Sequence, residues 1–121
     1  MLSLSDSYTA LETLFGMDFK GNEGVPFLGD LVNEEAPATG VQVMYYGHLR
    51  LMGSVADETE DPQPTSGTAK LYLGTIADGE KVLDETLAIG ESKTIGLVLF
   101  TEFELANCRG YFSGYKYTKS N

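Results

Sequence analysis

The stretch of residues 41–52, VQVMYYGHLRLM, constrains the fold of this chain more than any other stretch. Its odd positions, from Val41 to Leu51, are apolar or glycine, whereas its even positions mix polar and apolar side chains. Side chains alternate between two faces along a strand, and a helix would scatter these residues around its circumference. The pattern therefore predicts a long β-strand with one buried face.

Similar alternation continues down the chain between glycine-rich turns. It predicts further strands at 68–77, 81–89, 94–105 and 111–118. Ala77-Asp78-Gly79-Glu80 has the composition of a hairpin turn. A bulge is expected between Val82 and Glu85, where the alternation slips.

The predicted strand 94–105 is apolar on both faces over part of its length. Val98 and Phe100 lie opposite the main apolar face, so we expect that part to be covered on both sides. The residues expected to share the main face are Ile95, Leu97, Leu99, Phe103 and Leu105.

The first 40 residues have a different character. Thr9 and Glu12 have the spacing of a capping box, and Gly16 stands where a helix would end. A helix of about two turns is too short to be stable alone, so it must dock on a surface; the alternative is an extended arm. Residues 16–40 contain five glycines and two prolines. This segment is expected to wrap over its own body or a neighbouring subunit, with one or two strands inside 17–40.

These patterns predict one all-β domain, an antiparallel β-sandwich or jelly-roll-like barrel with an N-terminal arm or short helix. Residues 1–40 would be the arm and wrapping segment, and residues 41–121 the β-sandwich body. A chain of 121 residues can bury a single real core. Cys108 is the only cysteine, so packing rather than an internal disulfide must hold the fold together.

The net charge of −10 is unevenly distributed, because residues 1–61 hold 11 acids and two bases. Such a surface repels phosphate backbones, so direct nucleic-acid binding is not expected. The chain shows neither a signal-peptide pattern nor an apolar run of about 20 residues, so no membrane association is expected. We expect a soluble protein assembled inside a cell.

No residue pattern predicts catalysis, a metal site or a cofactor. His48, the only histidine, alternates onto the polar face of its strand and is interpreted as a surface residue. A catalytic dyad of Cys108 with His48 is conceivable, but no other residue of the sequence supports it. The acidic cluster Asp57, Glu58, Glu60 and Asp61 could hold a hard cation, but its spacing favours a solvated loop. The expectation is a non-enzymatic protein.

Tyrosines are the most frequent aromatic residues, and the chain lacks tryptophan. They could pack in the core and at subunit interfaces, or line a sugar-binding face. The tyrosines considered for these roles are Tyr45, Tyr46, Tyr72, Tyr111, Tyr115 and Tyr117.

The order of segments resembles the capsid decoration, or cement, proteins of tailed bacteriophages. The resemblance rests on the apolar start LSLSDSYTALETLF, the segment GNEGVPFLGDLVNEEAPATG and the β body at 41–118. It is one of architecture, and it transfers no residue roles. It implies a virion protein of the capsid surface, assembled in the host cytoplasm. Its partners would be the major capsid protein or like subunits, in a homotrimer or another homo-oligomer.

The leading hypothesis is therefore a structural protein that binds and stabilises a viral capsid or another protein assembly through subunit contacts. The alternatives are a carbohydrate-binding or adhesive β-domain, and an acidic inhibitor that mimics nucleic acid. The residues proposed for the interface are Leu2, Leu4, Tyr8, Phe15, Phe19, Phe27, Leu28 and Tyr46.

Overall fold

The computed structural model describes residues 25–31, 41–74 and 77–120, and the side chains within 26–31, 43–74 and 77–117. These residues form seven strands and no helix, which confirms the all-β prediction. The strands are β1 (Val25–Leu31), β2 (Val41–Gly53), β3 (Ser66–Leu73), β4 (Glu80–Ala88), β5 (Ser92–Phe100), β6 (Glu102–Ala106) and β7 (Cys108–Ser120).

The strands form two antiparallel sheets. A four-stranded sheet has the order β1-β7-β2-β5, and a three-stranded sheet has the order β4-β3-β6. The main hydrophobic cluster draws buried residues from both sheets, among them Leu49 and Leu51 of β2 and Ala69 and Leu71 of β3. The architecture is thus a β-sandwich with its core between the sheets.

The long strand predicted at 41–52 is confirmed as β2, which pairs with β7 along its whole length, from Val41 opposite Ser120 to Gly53 opposite Cys108. Gly47 and Gly114 face each other in the middle of this pair. A Cβ atom on Gly47 would lie 2.6 Å from the Cα of Gly114 and 2.9 Å from the Cζ of Phe112. Glycine is required there because the backbone of β7 at Ser113 and Gly114, and next to it the ring of Phe112, occupy the space that a side chain would need.

Aromatic rings fill the centre of the core. Tyr45 stacks on its cross-strand neighbour Phe100 with ring centroids 5.0 Å apart. Phe103 and Phe112 meet these two rings edge-on. Burial of each such side chain contributes roughly 1.5–3 kcal/mol, so this aromatic group is a main source of stability.

Strand β1 lies inside the segment 1–40 and belongs to the sheet of the body. It pairs with β7 from Val25 opposite Lys116 to Leu31 opposite Gly110. Leu31 is buried in the main core. The expectation of strands within 17–40 is therefore confirmed by β1. The expected N-terminal helix or arm lies outside the described residues.

The prediction of one strand over 94–105 is wrong, because the chain changes sheets at Thr101. β5 ends at Phe100 in the four-stranded sheet, and β6 begins at Glu102 in the three-stranded sheet. The backbone N–H of Thr101 donates to the carbonyl of Tyr72 at 2.8 Å. Its hydroxyl donates to the carbonyl of Gly74 at 2.7 Å and accepts from the N–H of Gly74 at 2.8 Å. These bonds to the end of β3 fix the crossover.

The apolar residues of β5 also divide differently from the expectation. Leu49 pairs with Gly96 and Arg50 with Thr94, so Ile95 is the extra residue of a bulge. A bulge reverses the alternation that follows it. Ile95 therefore packs in the main core with Val98, and Leu97 and Leu99 pack in a second cluster. The prediction that Ile95 shares a face with Leu97 and Leu99 is wrong. The prediction that both faces of this strand are covered is confirmed.

The strands predicted at 68–77, 81–89 and 111–118 correspond to β3, β4 and β7, with shifted ends. The bulge expected between Val82 and Glu85 lies at Val82. Leu71 pairs with Leu83 and Tyr72 with Lys81, which leaves Val82 without a partner in the register.

Candidate functional site: the outer face of the four-stranded sheet

The four-stranded sheet has an outer face, which is the surface turned away from the main core. Side chains along each strand point alternately into the main core and onto this outer face, so every second residue lies on the outer face. We use the term outer face for Pro26, Leu28, Asp30, Met44, Tyr46, His48, Arg50, Met52, Ser92, Thr94, Leu97, Leu99, Arg109, Tyr111, Ser113, Tyr115 and Tyr117.

One end of the outer face carries a hydrophobic cluster of its own. Met44 and Tyr117 face each other across β2 and β7, and both are fully buried. Tyr46 is buried beside them, and Leu97 and Leu99 pack against the same cluster. Antiparallel sheets commonly leave one face polar and solvated, whereas this end of the outer face is apolar and buried within the chain.

The middle of the outer face exposes apolar side chains to solvent. Leu28 is 84% exposed and Tyr115 is 43% exposed. Tyr115 lies between Pro26 of β1 and Tyr46 of β2. Two residues further along β1, Leu28 lies opposite Ser113 on the same face. The exposed side chains therefore continue the buried cluster along the same surface.

The other end of the outer face is cationic. Arg50 and Arg109 are the only arginines of the chain. Their guanidinium carbons lie 4.5 Å and 5.3 Å from the ring centroid of Tyr111. Such contacts are attractive because a cation interacts with the electron-rich face of the ring. The two arginines thus converge on one tyrosine.

Each arginine has a further partner. Arg50 Nη1 donates to the hydroxyl of Ser92 at 3.0 Å. Arg109 forms an ion pair with Asp30 of β1. The hydrogen bond and the charge of Asp30 raise the pKa of the Arg109 guanidinium above its ordinary value. Both side chains are therefore held in place as permanent cations at the surface.

The composition of the outer face can be compared with the average composition of protein interfaces. Tyrosine, methionine and arginine are enriched in interfaces, whereas lysine, glutamate and aspartate are depleted. Where its side chains are described, the outer face holds four tyrosines, two methionines and both arginines, and Asp30 is its only carboxylate.

The outer side of the three-stranded sheet is different. Its centre carries Lys70 between Asp84 and Glu104 in the register. Tyr72 donates its hydroxyl proton to Glu104 Oε1 at 3.0 Å. Loss of solvation raises the pKa of Tyr72, and the bond to Glu104 raises it further. This surface carries charged side chains, with Asp84 and Glu104 exposed and Tyr72 buried among them.

His48 and Cys108 lie far apart and on opposite sides of the sheet. His48 is exposed on the outer face, whereas Cys108 packs against the core opposite Gly53, five residues further along β2. At 3.3 Å per residue the separation is about 17 Å along the strand. Burial raises the pKa of the Cys108 thiol, which disfavours the reactive thiolate. The structure does not assemble the dyad.

The acidic loop, residues 57–61, is ordered by its own hydrogen bonds. The Asp57 carboxylate accepts from the Thr59 hydroxyl at 2.6 Å and from the Thr59 N–H at 2.9 Å, and these bonds lower the pKa of Asp57. Gln63 Nε2 lies within hydrogen-bonding distance of the carbonyl oxygens of Asp57, Glu58 and Glu60. Within the described ranges, no group of three side chains is arranged to hold a metal ion.

The residues that the sequence predicted for the interface do not all lie on one surface of the described structure. Leu2, Leu4, Tyr8, Phe15 and Phe19 lie outside the described residues. Phe27 packs inside the chain, with its ring 6.1 Å from that of Tyr45. Leu28 is exposed on the outer face, and Tyr46 is nearly buried there. The face therefore brings together only Leu28 and Tyr46 from that set.

Sequence reasoning did not assign Arg50 and Arg109 to an interface, and it considered Tyr111 there only as one of six tyrosines. Alternation indicated that Arg50 lies on the outward side of its strand. The register that sets Arg50 opposite Tyr111 is a long-range pairing, and no local pattern of the sequence reveals it.

The six tyrosines considered for a sugar-binding surface do not share one face. Tyr45 points into the core, and Tyr72 belongs to the three-stranded sheet. The other four lie on the outer face, but Tyr46 and Tyr117 are buried there and Tyr115 is the most exposed. A broad platform of stacked rings is therefore not formed.

No helix long and apolar enough to cross a membrane occurs in the part of the chain that the structure describes. No protein-family model, curated protein or solved structure significantly matches this chain.

Proposed function

We propose that this chain is a non-enzymatic structural protein that binds other protein subunits through the outer face of the four-stranded sheet. The observation that carries this proposal is the exposure of Leu28 (84%) and Tyr115 (43%) on this face, beside a hydrophobic cluster that the chain already buries. Contiguous apolar surface is rarely left in water unless it has a partner.

The arrangement of this surface matches the energetics of protein association. Exposed apolar side chains gain free energy when a partner removes them from water. Tyrosine and arginine dominate interface hot spots, and both occur here beside the apolar residues. Assembly into symmetric oligomers would repeat the contact and strengthen attachment.

The finer proposal is that the assembly is a virus particle and that the chain is a capsid decoration protein. Its support is the order of segments in the sequence, an apolar N-terminal stretch followed by a small β body. The partners would be like subunits or the major capsid protein.

Self-association of the purified chain tests the role of the outer face. We expect the unmodified protein to form an oligomer in sedimentation velocity over a wide concentration range. The double variant Leu28→Ser/Tyr115→Ser should dissociate at concentrations where the unmodified protein stays assembled, because it removes the two most exposed large apolar side chains of that face.

Val82→Ser is the matched control. Val82 is 42% exposed, close to Tyr115, but it belongs to β4 of the other sheet. It should leave the oligomer unchanged. An unmodified protein that remains monomeric, or equal dissociation of both variants, would contradict the proposal. Circular dichroism of each variant must show the unmodified strand content.

The carbohydrate-binding alternative has less support, because one well exposed tyrosine ring is a small platform for a sugar. The nucleic-acid mimic depends on the acidic residues of 1–61, of which only part lies in the described structure.

A further inference from the structure

We infer that Arg50 and Arg109, held around the ring of Tyr111, are the docking site for the acidic loop of a second copy of this chain. This inference rests on the proposed function and names the partner at the cationic end of the outer face. The contact would join carboxylates of residues 57–61 of one copy to the guanidinium groups of the other.

Arg50 has hydrogen-bonding capacity left for such a ligand. A guanidinium group carries five N–H donors in a planar fork that fits a carboxylate. Among the described residues, Arg50 bonds to the neutral hydroxyl of Ser92 and to no carboxylate. In the part of the chain that the structure describes, no carboxylate neutralises its charge.

Arg109 adds a second, partly neutralised cation at the same place. Its pair with Asp30 occupies part of the guanidinium fork, and half of the side chain remains exposed. Both cations lie within 5.3 Å of the Tyr111 ring centroid. The ring and Ser92 fix the guanidinium of Arg50 before binding, so less side-chain entropy is lost on association.

The acidic loop is a complementary and equally preorganised ligand. Asp57 is engaged by Thr59, which leaves the carboxylates of Glu58, Glu60 and Asp61 without ion pairs in the described part of the chain. All three residues are exposed. Gln63 holds the backbone that carries them.

The loop of the same copy is tethered elsewhere. Ser54 N–H donates to the carbonyl of Asn107 at 2.9 Å, and Ala56 N–H donates to Asn107 Oδ1 at 3.1 Å. Within the described structure no acid of the loop pairs with either arginine. The loop therefore stays available to a neighbour.

The net charge explains why the contact should form at these arginines. Each copy carries a charge of −10, so two copies repel each other over most of their surfaces. Close approach is favourable where the cations of one copy meet the carboxylates of the other. The outer face contains both arginines and the exposed apolar residues, so attraction and burial coincide there.

A charge-reversal experiment tests the inference on the full chain. Sedimentation equilibrium at low salt would compare Arg50→Glu with Lys81→Glu, which makes the same change in net charge on the three-stranded sheet. We expect Arg50→Glu to raise the dissociation constant at least about tenfold, and Lys81→Glu to change it by less than about twofold.

The decisive step is a mixture of complementary variants. Glu58→Lys/Asp61→Lys places cations on the loop, which should attract the glutamate of the Arg50→Glu variant. The mixture should form mixed oligomers more tightly than Arg50→Glu does alone. Mixing the loop variant with Lys81→Glu should give no comparable gain.

The outcomes separate this inference from the proposed function. If the Leu28→Ser/Tyr115→Ser variant dissociates but Arg50→Glu does not, the outer face still binds subunits and the arginine contact is overturned. Equal weakening by Arg50→Glu and Lys81→Glu, or no gain in the complementary mixture, overturns it as well. Dissociation by added salt in the unmodified protein but not in Arg50→Glu supports it.

Discussion

The two sheets of this sandwich share one core but differ on their outer sides. The four-stranded sheet carries a second hydrophobic cluster around Met44 and Tyr117, with exposed Leu28 beyond it. The three-stranded sheet carries Lys70 between two acids and the hydrogen bond from Tyr72 to Glu104. The fold needs only one buried face on each sheet. The cluster around Met44 and Tyr117 is buried within the chain, so only the exposed Leu28 and Tyr115 are left for a binding partner to cover.

The contrast can be tested most strongly by removing one side chain from each outer side. Met44→Ala should destabilise the fold by about 2–5 kcal/mol, because Met44 is fully buried in the outer cluster. Lys70→Ala should cost less than about 0.5 kcal/mol, since its neighbours are solvated. Urea unfolding measures both, and equal losses would remove the distinction between the two sides.

The composition of the outer face depends on the register between β2 and β7, which sets Tyr46 beside Tyr115. Gly47→Ala should cost about 1–3 kcal/mol, because the new methyl group would meet the backbone of Gly114 and the ring of Phe112.

Gly110→Ala is the control for this glycine. Its nearest contact would be the flexible Cδ1 of Leu31 at 3.2 Å, so the loss of unfolding free energy should be smaller. Thermal or urea unfolding compares the two variants. A Gly110→Ala variant as unstable as Gly47→Ala would show that the close contact of the two central strands is not what limits the register.

The smallest effect is expected on the charged side, from Tyr72→Phe. The pKa of Tyr72 is raised above 10.0, first by loss of solvation and then by Glu104, so folding favours the protonated phenol. The contribution of Tyr72 to the free energy of unfolding is present below pH 10 and is lost as the pH rises through the raised pKa of Tyr72.

The unmodified protein should therefore lose stability between neutral pH and pH above 10, and Tyr72→Phe should lose less over the same range. Urea midpoints across this range provide the measurement. Identical alkaline profiles would contradict the role of Tyr72. Lys81, whose pKa is raised by Asp84, is the nearest other group to consider at high pH.

Local patterns predicted much of the strand content. The run from Val41 to Gly53 is apolar or glycine at every odd position, and it forms one of the two longest strands, each of 13 residues. The same reasoning failed at residues 94–105, because Ile95 is a bulge and Thr101 is a crossover. The apolar residues at odd positions keep the same phase on both sides of Thr101, so the sequence looks continuous where the structure changes sheets.

The candidate site was less predictable than the fold. Leu28 and Tyr46 were identified as apolar residues in need of a partner surface, and both lie on the outer face. The cluster of Arg50, Arg109 and Tyr111 was not identified, because it joins residues almost 60 positions apart through a strand register. Long-range pairing decides which outward side chains become neighbours.

By itself, the sequence determined the β class, the position of β2 and the acidic, single-cysteine character of the chain. These follow from period-two alternation and composition, which act locally along the chain. The tertiary structure alone decided that β1 joins β7, that β5 and β6 lie in different sheets, and that both arginines meet at Tyr111. Those features depend on hydrogen-bond registers between distant segments, which the order of residues within any one strand does not specify.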